Sequence, residues 1–417
     1  MNVAFLKSFE TLRQVFQQRA FSTLALNKTL QSCTSQNRAL ITKIVYGVLD
    51  EDIKLKYILS KYVRKMPKGD VLIVFEIGLY CLLNLSLPVY TVVNDCAELA
   101  KITEDRRQVG FVNATLKKMS LSVKQFDDYP EDAVTRLSVK YSYPEWALRK
   151  LIKDYGTDVA EKIVSFVPDG KTSVRIADDK AKENFSVLIP TVFPDAFLTE
   201  GKLPVSDGTF TPQSLSSMAV ARAVSSASPA EVLDCCSAPG GKAVYVKQLC
   251  PNAHVVACDV HAHRVDLIRQ YASRMGVQLD TFCADMTQYN AKWEKGFDAV
   301  LCDVPCSGFG VLDSRPDIKL FRENIDISNL MKLQYSILEN CCNYVKVGGR
   351  LIYSTCTVFD NENGQNIRKF LKQHCEFSLG TIDIPQLPQT QGKSTYQFLP
   401  YKDGMQGFFL AVLVRNN

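Results

Sequence analysis

The 417 residues are 46% hydrophobic and 22% charged, an ordinary balance for a folded chain with room for two or three domains and at least one large core. The longest apolar stretch, residues 71–85, is cut by Glu76, Gly78 and Asn84 and falls short of the roughly 20 residues of a membrane span. The net charge is only +5, but residues 1–124 carry 18 Lys and Arg against 10 Asp and Glu, and the rest of the chain 31 against 34. A basic front of this kind fits an anionic partner such as nucleic acid, although a basic helical domain without one would show the same count.

Taken in chain order, residues 1–30 hold Arg13 and Arg19 but no continuous apolar core, and read as an amphipathic helix rather than a transit peptide. Four apolar stripes with a helical period follow: Ile41, Ile44, Val45, Val48 and Leu49; Leu55, Ile58, Leu59, Tyr62 and Val63; Phe75, Leu79, Leu82 and Leu83; Val92, Val93, Cys96, Leu99 and Ala100. Pro88 stands just ahead of the helix predicted over 90–102. The front is therefore expected to be an all-helical bundle, residues 1–126. Residues 127–130 form a polar break, 144–155 one more amphipathic helix, and 171–208 short β-branched pieces between prolines and charges. Residues 127–210 are read as a small α+β connecting subdomain, and 211–417 as the last domain.

Beyond Pro229 the pattern alternates. Strands are predicted over 231–236, 254–260, 279–283, 298–303 and 350–355, with helices over 241–249, 264–275 and 327–345. This is an α/β domain with a parallel sheet covered on both faces. Residues 407–414 add an apolar strand in a closing hairpin.

The first of these strands runs through Cys236 into Ser237-Ala238-Pro239-Gly240-Gly241-Lys242 and a helix. A glycine turn there lets backbone approach a ligand and aims helix amides at it. The spacing is not that of a dinucleotide fingerprint. Asp259, 18 residues past Gly241, ends the next strand, where a carboxylate can accept from both hydroxyls of a ribose; Asp285 follows the third, in reach of an adenine amine. Capping a helix is the other role open to either acid.

The chain has fourteen cysteines and four histidines, with no C-x-x-C pair and no zinc spacing, so no metal site is expected and most thiols read as small apolar side chains in a reducing, cytoplasmic setting. Two differ. Asp303-Val304-Pro305-Cys306 ends one apolar strand and Ser354-Thr355-Cys356 another. If those strands are parallel neighbours, their ends lie about 5 Å apart and both thiols face the nucleoside crevice. A thiolate is what methylation at carbon 5 of a pyrimidine requires: addition at carbon 6 makes an enamine whose carbon 5 attacks a methyl sulfonium. Asp303 would then bind the base and hold charge developing on it.

These segments resemble the RNA 5-methylcytosine methyltransferases: Cys236 through Lys242, the Asp303–Cys306 corner and the Ser354–Cys356 strand end. Pro316-Asp317-Ile318-Lys319, Glu362-Asn363 and Asp403-Gly404-Met405-Gln406-Gly407-Phe408-Phe409 are further matches. The resemblance implies a Rossmann-like class I methyltransferase domain using S-adenosylmethionine. It also implies that Cys356 is the nucleophile and Cys306 the thiol that assists product release. Cys236, Ser237, Ala238, Pro239, Gly240, Gly241, Lys242, Asp259, Asp285 and Asp303 would line the cofactor site. In the front half, Ile44-Val45-Tyr46-Gly47-Val48-Leu49, the run Val93 to Lys101 and Gly110-Phe111-Val112-Asn113-Ala114 resemble the NusB-like RNA-binding fold. That fusion is similar to bacterial small-subunit ribosomal RNA methyltransferases, which implies a monomer acting on 16S ribosomal RNA, with no membrane and no metal. Asp313 and Ser314 stand where the family carries a basic pair, and Ala243 where it often has Thr. A transfer RNA methyltransferase of the same chemistry and a non-catalytic ribosome-assembly protein are the alternatives. The latter would lack a cysteine or the glycine turn.

Overall fold

In a computed structural model that describes residues 1–103, 108–201, 203–204, 208–322 and 324–417, the chain divides into two compact units. One comprises Met1–Ser165 and Leu312–Arg322, the other Phe166–Val311 and Glu323–Asn417.

The first unit is helical. Its elements are α1 (Val3–Gln18), α2 (Ser22–Gln31), α3 (Ser35–Ser60), α4 (Gly69–Asn84), α5 (Val89–Ile102), α6 (Val109–Ser120), α7 (Ala133–Lys140), α8 (Glu145–Tyr155) and α9 (Thr157–Val164). The stripes read from the sequence form its core: Ile44, Val45, Val48, Phe75, Cys96, Leu99 and Ala100 are fully buried. Two glycines let helices approach closely. A Cβ on Gly47 would fall within 1.9 Å of the Tyr80 ring, and one on Gly78 within 2.9 Å of Cys96 and Leu116. Glu76, which interrupts the apolar run of α4, is buried beside Lys56 (3.7 Å), which also pairs with buried Asp52 at 2.6 Å. Among the described residues no helix is long and apolar enough to cross a membrane. Residues 133–164, read from sequence with the connecting subdomain, group with this unit because they too are helices, and α7 packs on α3.

The second unit begins with a four-stranded antiparallel sheet, β1 (Thr172–Ile176), β2 (Ile189–Pro190), β3 (Ala196–Thr199) and β4 (Phe210–Pro212), in the order β2-β3-β1-β4. After α10 (Leu215–Ser225) come β5 (Glu231–Asp234), α11 (Gly241–Leu249), β6 (His254–Asp259), α12 (Ala262–Arg274), β7 (Asp280–Cys283) and β8 (Phe297–Asp303). The short α13 (Ile318–Phe321) falls within the helical unit. The chain then continues through α14 (Asn324–Cys341), β9 (Val345–Thr355), α15 (Gly364–Gln373), β10 (Phe377–Leu379), β11 (Thr395–Phe398), α16 (Pro400–Asp403) and β12 (Phe408–Arg415). The sheet order is β10-β12-β9-β8-β5-β6-β7, with β11 on β12. Strands β5 to β9 pair in parallel, and β12 is antiparallel to β9.

Alternation along the strands gives each face its own core. Val232, Leu301, Ile352 and Leu410 pack under α10 and α11, and Leu233, Val300, Leu351 and Ala411 under α14 and α15. From β5 the chain winds outward through β6 and β7, then returns to lay β8 on the other side of β5. That reversal is a topological switch point, and in open α/β sheets the carboxyl ends of the two strands beside it, here β5 and β8, are where a ligand crevice is expected.

Candidate active site

Asp259, Asp303, Cys306 and Cys356 lie at or just past the carboxyl ends of β6, β8 and β9, and Asp285 lies beyond β7. β5 ends at Asp234, and residues 235–240 turn into α11. Gly240 has φ of +105°, and its N–H donates to the Ser237 carbonyl (2.7 Å), so the turn needs glycine. No side chain caps α11, which leaves its first amides open toward the crevice. Beneath them lies Asp234, 1% exposed, with neither carboxylate oxygen hydrogen-bonded among the described residues; the buried Ser237 hydroxyl has no partner either. Burial and the charge of Asp303 push the Asp234 carboxyl up to about 7, against the pull of Lys242.

Lys242, on the first turn of α11, donates to Asp303 Oδ2 at 2.6 Å and lies 5.3 Å from the Phe408 ring centre. The Ser354 hydroxyl donates to Asp303 Oδ1, also at 2.6 Å. Asp303 thus ties α11 to the strand end that carries Cys356. Burial alone would lower the Lys242 ammonium, but Asp303, Asp234 and Cys356 outweigh it and raise it. The cation is held charged within reach of the Cys356 sulfur's field.

β8 and β9 are the parallel neighbours expected, with Asp303 opposite Ser354. The two sulfurs meet at 3.2 Å, and the Cys356 N–H donates to Cys306 Sγ at 3.3 Å. Hydrogen bonding to Cys356, burial, and the charges of Cys356, Glu362 and Asp303 hold the Cys306 thiol well above its ordinary range. Both thiols are part-buried rather than sealed. Gly310 closes this corner: its N–H donates to the Cys356 carbonyl (3.0 Å), and a Cβ there would collide with the Gly407 carbonyl at 1.9 Å. That contact explains why glycines stand at both places.

The other two acids are less committed to a ligand. Asp259 is 3% exposed, accepts from the His261 N–H at 3.1 Å and pairs with Arg264 at 3.3 Å, so it also steadies the entry to α12. Asp285 is exposed and accepts from the Thr287 N–H and hydroxyl at 2.9 and 2.8 Å. The Pro316-Asp317-Ile318-Lys319 match lies in the helical unit, where Ser22 donates to Asp317 (2.5 Å) and Lys319 pairs with Asp50 (2.6 Å).

Two features were not readable from spacing. Cys235, Cys302 and Cys341, scattered over 107 positions, bring their sulfurs within 4.8 Å of one another under the sheet. Gln334, on α14, donates both to the Pro305 carbonyl and to Glu362, each at 2.9 Å. Nothing in the periodicity of α14 marks a buried polar residue as part of a site.

An open glycine-turn helix, an unpartnered buried carboxylate and hydroxyl, and acids at successive strand ends form a cradle that fits a nucleoside bearing an amino-acid tail. The family model "16S rRNA methyltransferase RsmB/F" matches residues 223–414, and the NusB family model matches residues 6–121. The probable ribosomal RNA small subunit methyltransferase B of Bacillus subtilis is 33% identical, covering 97% of this chain and 96% of its own length. The ribosomal RNA small subunit methyltransferase B of Escherichia coli K12 is 27% identical, covering 97% of each. Among solved structures, PH0851 superposes with a TM-score of 0.83 at 20% identity, over 100% of this chain and 99% of that one, a likeness of fold.

Proposed function

Because the chain belongs to the RsmB/F family of 16S rRNA methyltransferases, we propose that it methylates carbon 5 of a cytosine in 16S ribosomal RNA through a covalent cysteine adduct. The observation that carries this reading is the pair of sulfurs 3.2 Å apart at the switch-point ends of β8 and β9. S-adenosylmethionine, the cofactor of these methyltransferases, supplies an electrophilic methyl group, and residues 236–242 with Asp259 and Asp285 would hold it.

Cys356 acts as a thiolate, favoured by the Lys242 ammonium, and adds to carbon 6 of a base turned out of any stack. That addition makes carbon 5 the nucleophile that takes the methyl group. Loss of the carbon 5 proton to solvent water then breaks the carbon 6–sulfur bond, expels Cys356 as a thiolate and restores the ring. Cys306, kept as a protonated thiol beside it, is placed to assist release. Asp303, fixed by Lys242 and Ser354, stabilises charge on the base edge. The helical unit, with its basic balance and NusB match, holds the RNA.

Cys356→Ala abolishes methyl transfer from radiolabelled S-adenosylmethionine to a 16S transcript while S-adenosylmethionine still binds in equilibrium dialysis. Retained transfer would refute the reading. Bisulfite sequencing of cellular RNA with and without the gene identifies the cytosine.

A further inference from the structure

Glu362 is fully buried and has no ion-pair partner among the described residues. A carboxylate in that position persists only when its lone pairs are filled. Ser307 fills two, donating its N–H to Oε2 at 2.8 Å and its hydroxyl to Oε1 at 2.6 Å; Gln334 Nε2 donates to Oε2 at 2.9 Å. Gln334, itself fully buried, also donates to the Pro305 carbonyl, and its own side-chain oxygen accepts from Asn366 at 3.1 Å. The Ser307 hydroxyl, whose proton goes to Glu362, accepts from the Thr357 hydroxyl at 2.8 Å. Next door, Asn363 accepts from the Thr355 hydroxyl (2.5 Å) and donates to the Thr357 carbonyl (3.1 Å).

The residues before and after Cys306, Pro305 and Ser307, and those before and after Cys356, Thr355 and Thr357, therefore all end in one buried polar knot centred on Glu362. A helix cap is the ordinary role for an acid just ahead of α15, but the donors to this carboxylate come from residues 307 and 334 and not from α15. The negative charge also faces Cys306, together with Cys356 and Asp303, and disfavours its thiolate.

We propose that Glu362 is the positioning residue of the reaction, bracketing both cysteines at fixed separation. This rests on the roles given to Cys356 and Cys306 above. Glu362→Gln puts an amide donor against donors already pointing at it, and frees the two strand ends to drift.

The test compares wild type, Glu362→Gln and Ser307→Ala for methyl transfer, and follows iodoacetamide labelling of Cys306 against pH in a Cys356→Ala background. Glu362→Gln lowers kcat about 100-fold, the cost of misplacing reacting groups by about 1 Å, with KM for S-adenosylmethionine within about twofold. It also moves the labelling midpoint of Cys306 to lower pH, because a facing negative charge is gone. Ser307→Ala, which keeps the charge, lowers kcat about tenfold and leaves the midpoint in place. A Glu362→Gln enzyme with kcat within about twofold of wild type, or an unmoved midpoint, overturns the proposal. If that variant does not fold, an unchanged kcat in Ser307→Ala overturns it. Activity in Cys356→Ala sinks the underlying reading, whereas a dead Cys356→Ala beside a fully active Glu362→Gln sinks this proposal alone.

Discussion

Cys302 and Cys306 stand four residues apart on one stretch of chain, yet they belong to different regions of the sheet. Cys302 lies inside β8 and points into the α14 face, where it meets Cys235 and Cys341 in a pocket closed to solvent. Cys306 lies past the strand end, where the pleat no longer dictates direction, and meets Cys356 in a part-open corner. Burial pushes the thiols of Cys235 and Cys341 well above their ordinary range, so they stay neutral packing groups. The corner also has the Lys242 ammonium, held charged against Asp303. Hydrogen bonds from Cys235 and Cys341 pull the Cys302 thiol down to about 5, so the two regions differ in access rather than in acidity: the trio is closed to solvent and the corner is part-open.

The largest expected effect tests that division directly. Cys306→Ala, incubated with 16S RNA and S-adenosylmethionine, accumulates a protein–RNA adduct that survives denaturing electrophoresis, because Cys356 still adds but release is impaired. Wild-type turnover with no adduct would remove Cys306 from the reaction.

A second prediction concerns Asp234, at the seam between the two regions. Its unfolded carboxyl ionises near pH 4, but in the folded unit it keeps its proton to about 7. Stability is then full below about pH 4 and falls as pH rises toward 7, by up to ~1.4 kcal/mol per pH unit. Asp234→Asn, always neutral, loses that slope, so its stability relative to wild type improves between pH 4 and 7 in urea titrations. Parallel curves for the two proteins would show that the carboxyl is not held neutral.

The smallest effect belongs to the interior. Cys302→Ala costs about 1 kcal/mol of stability through a small cavity, and leaves kcat unchanged. A fall in kcat without a fall in stability would erase the contrast between interior and corner sulfurs.

Much of this is legible in the sequence. Periodicity identified the core stripes of the bundle, and the alternation after Pro229 identified the parallel sheet, because burying one face forces those patterns. The predicted helix over 241–249 matches α11, while β9 begins at Val345, earlier than the strand predicted over 350–355, because its first residues are turn-like in composition. Asp259 and Asp285 sit at the predicted strand ends, but each also steadies its own local turn, a dual use that residue type alone does not resolve.

The sequence by itself determined the alternating units, the glycine turn and two cysteines at strand ends, since these are local consequences of spacing and side-chain volume. Tertiary structure alone decided which sulfurs meet. The 3.2 Å pair, the buried trio and the knot around Glu362 join residues 50 or more positions apart, or reach in from a separate helix. Such contacts depend on strand order, which no local pattern encodes.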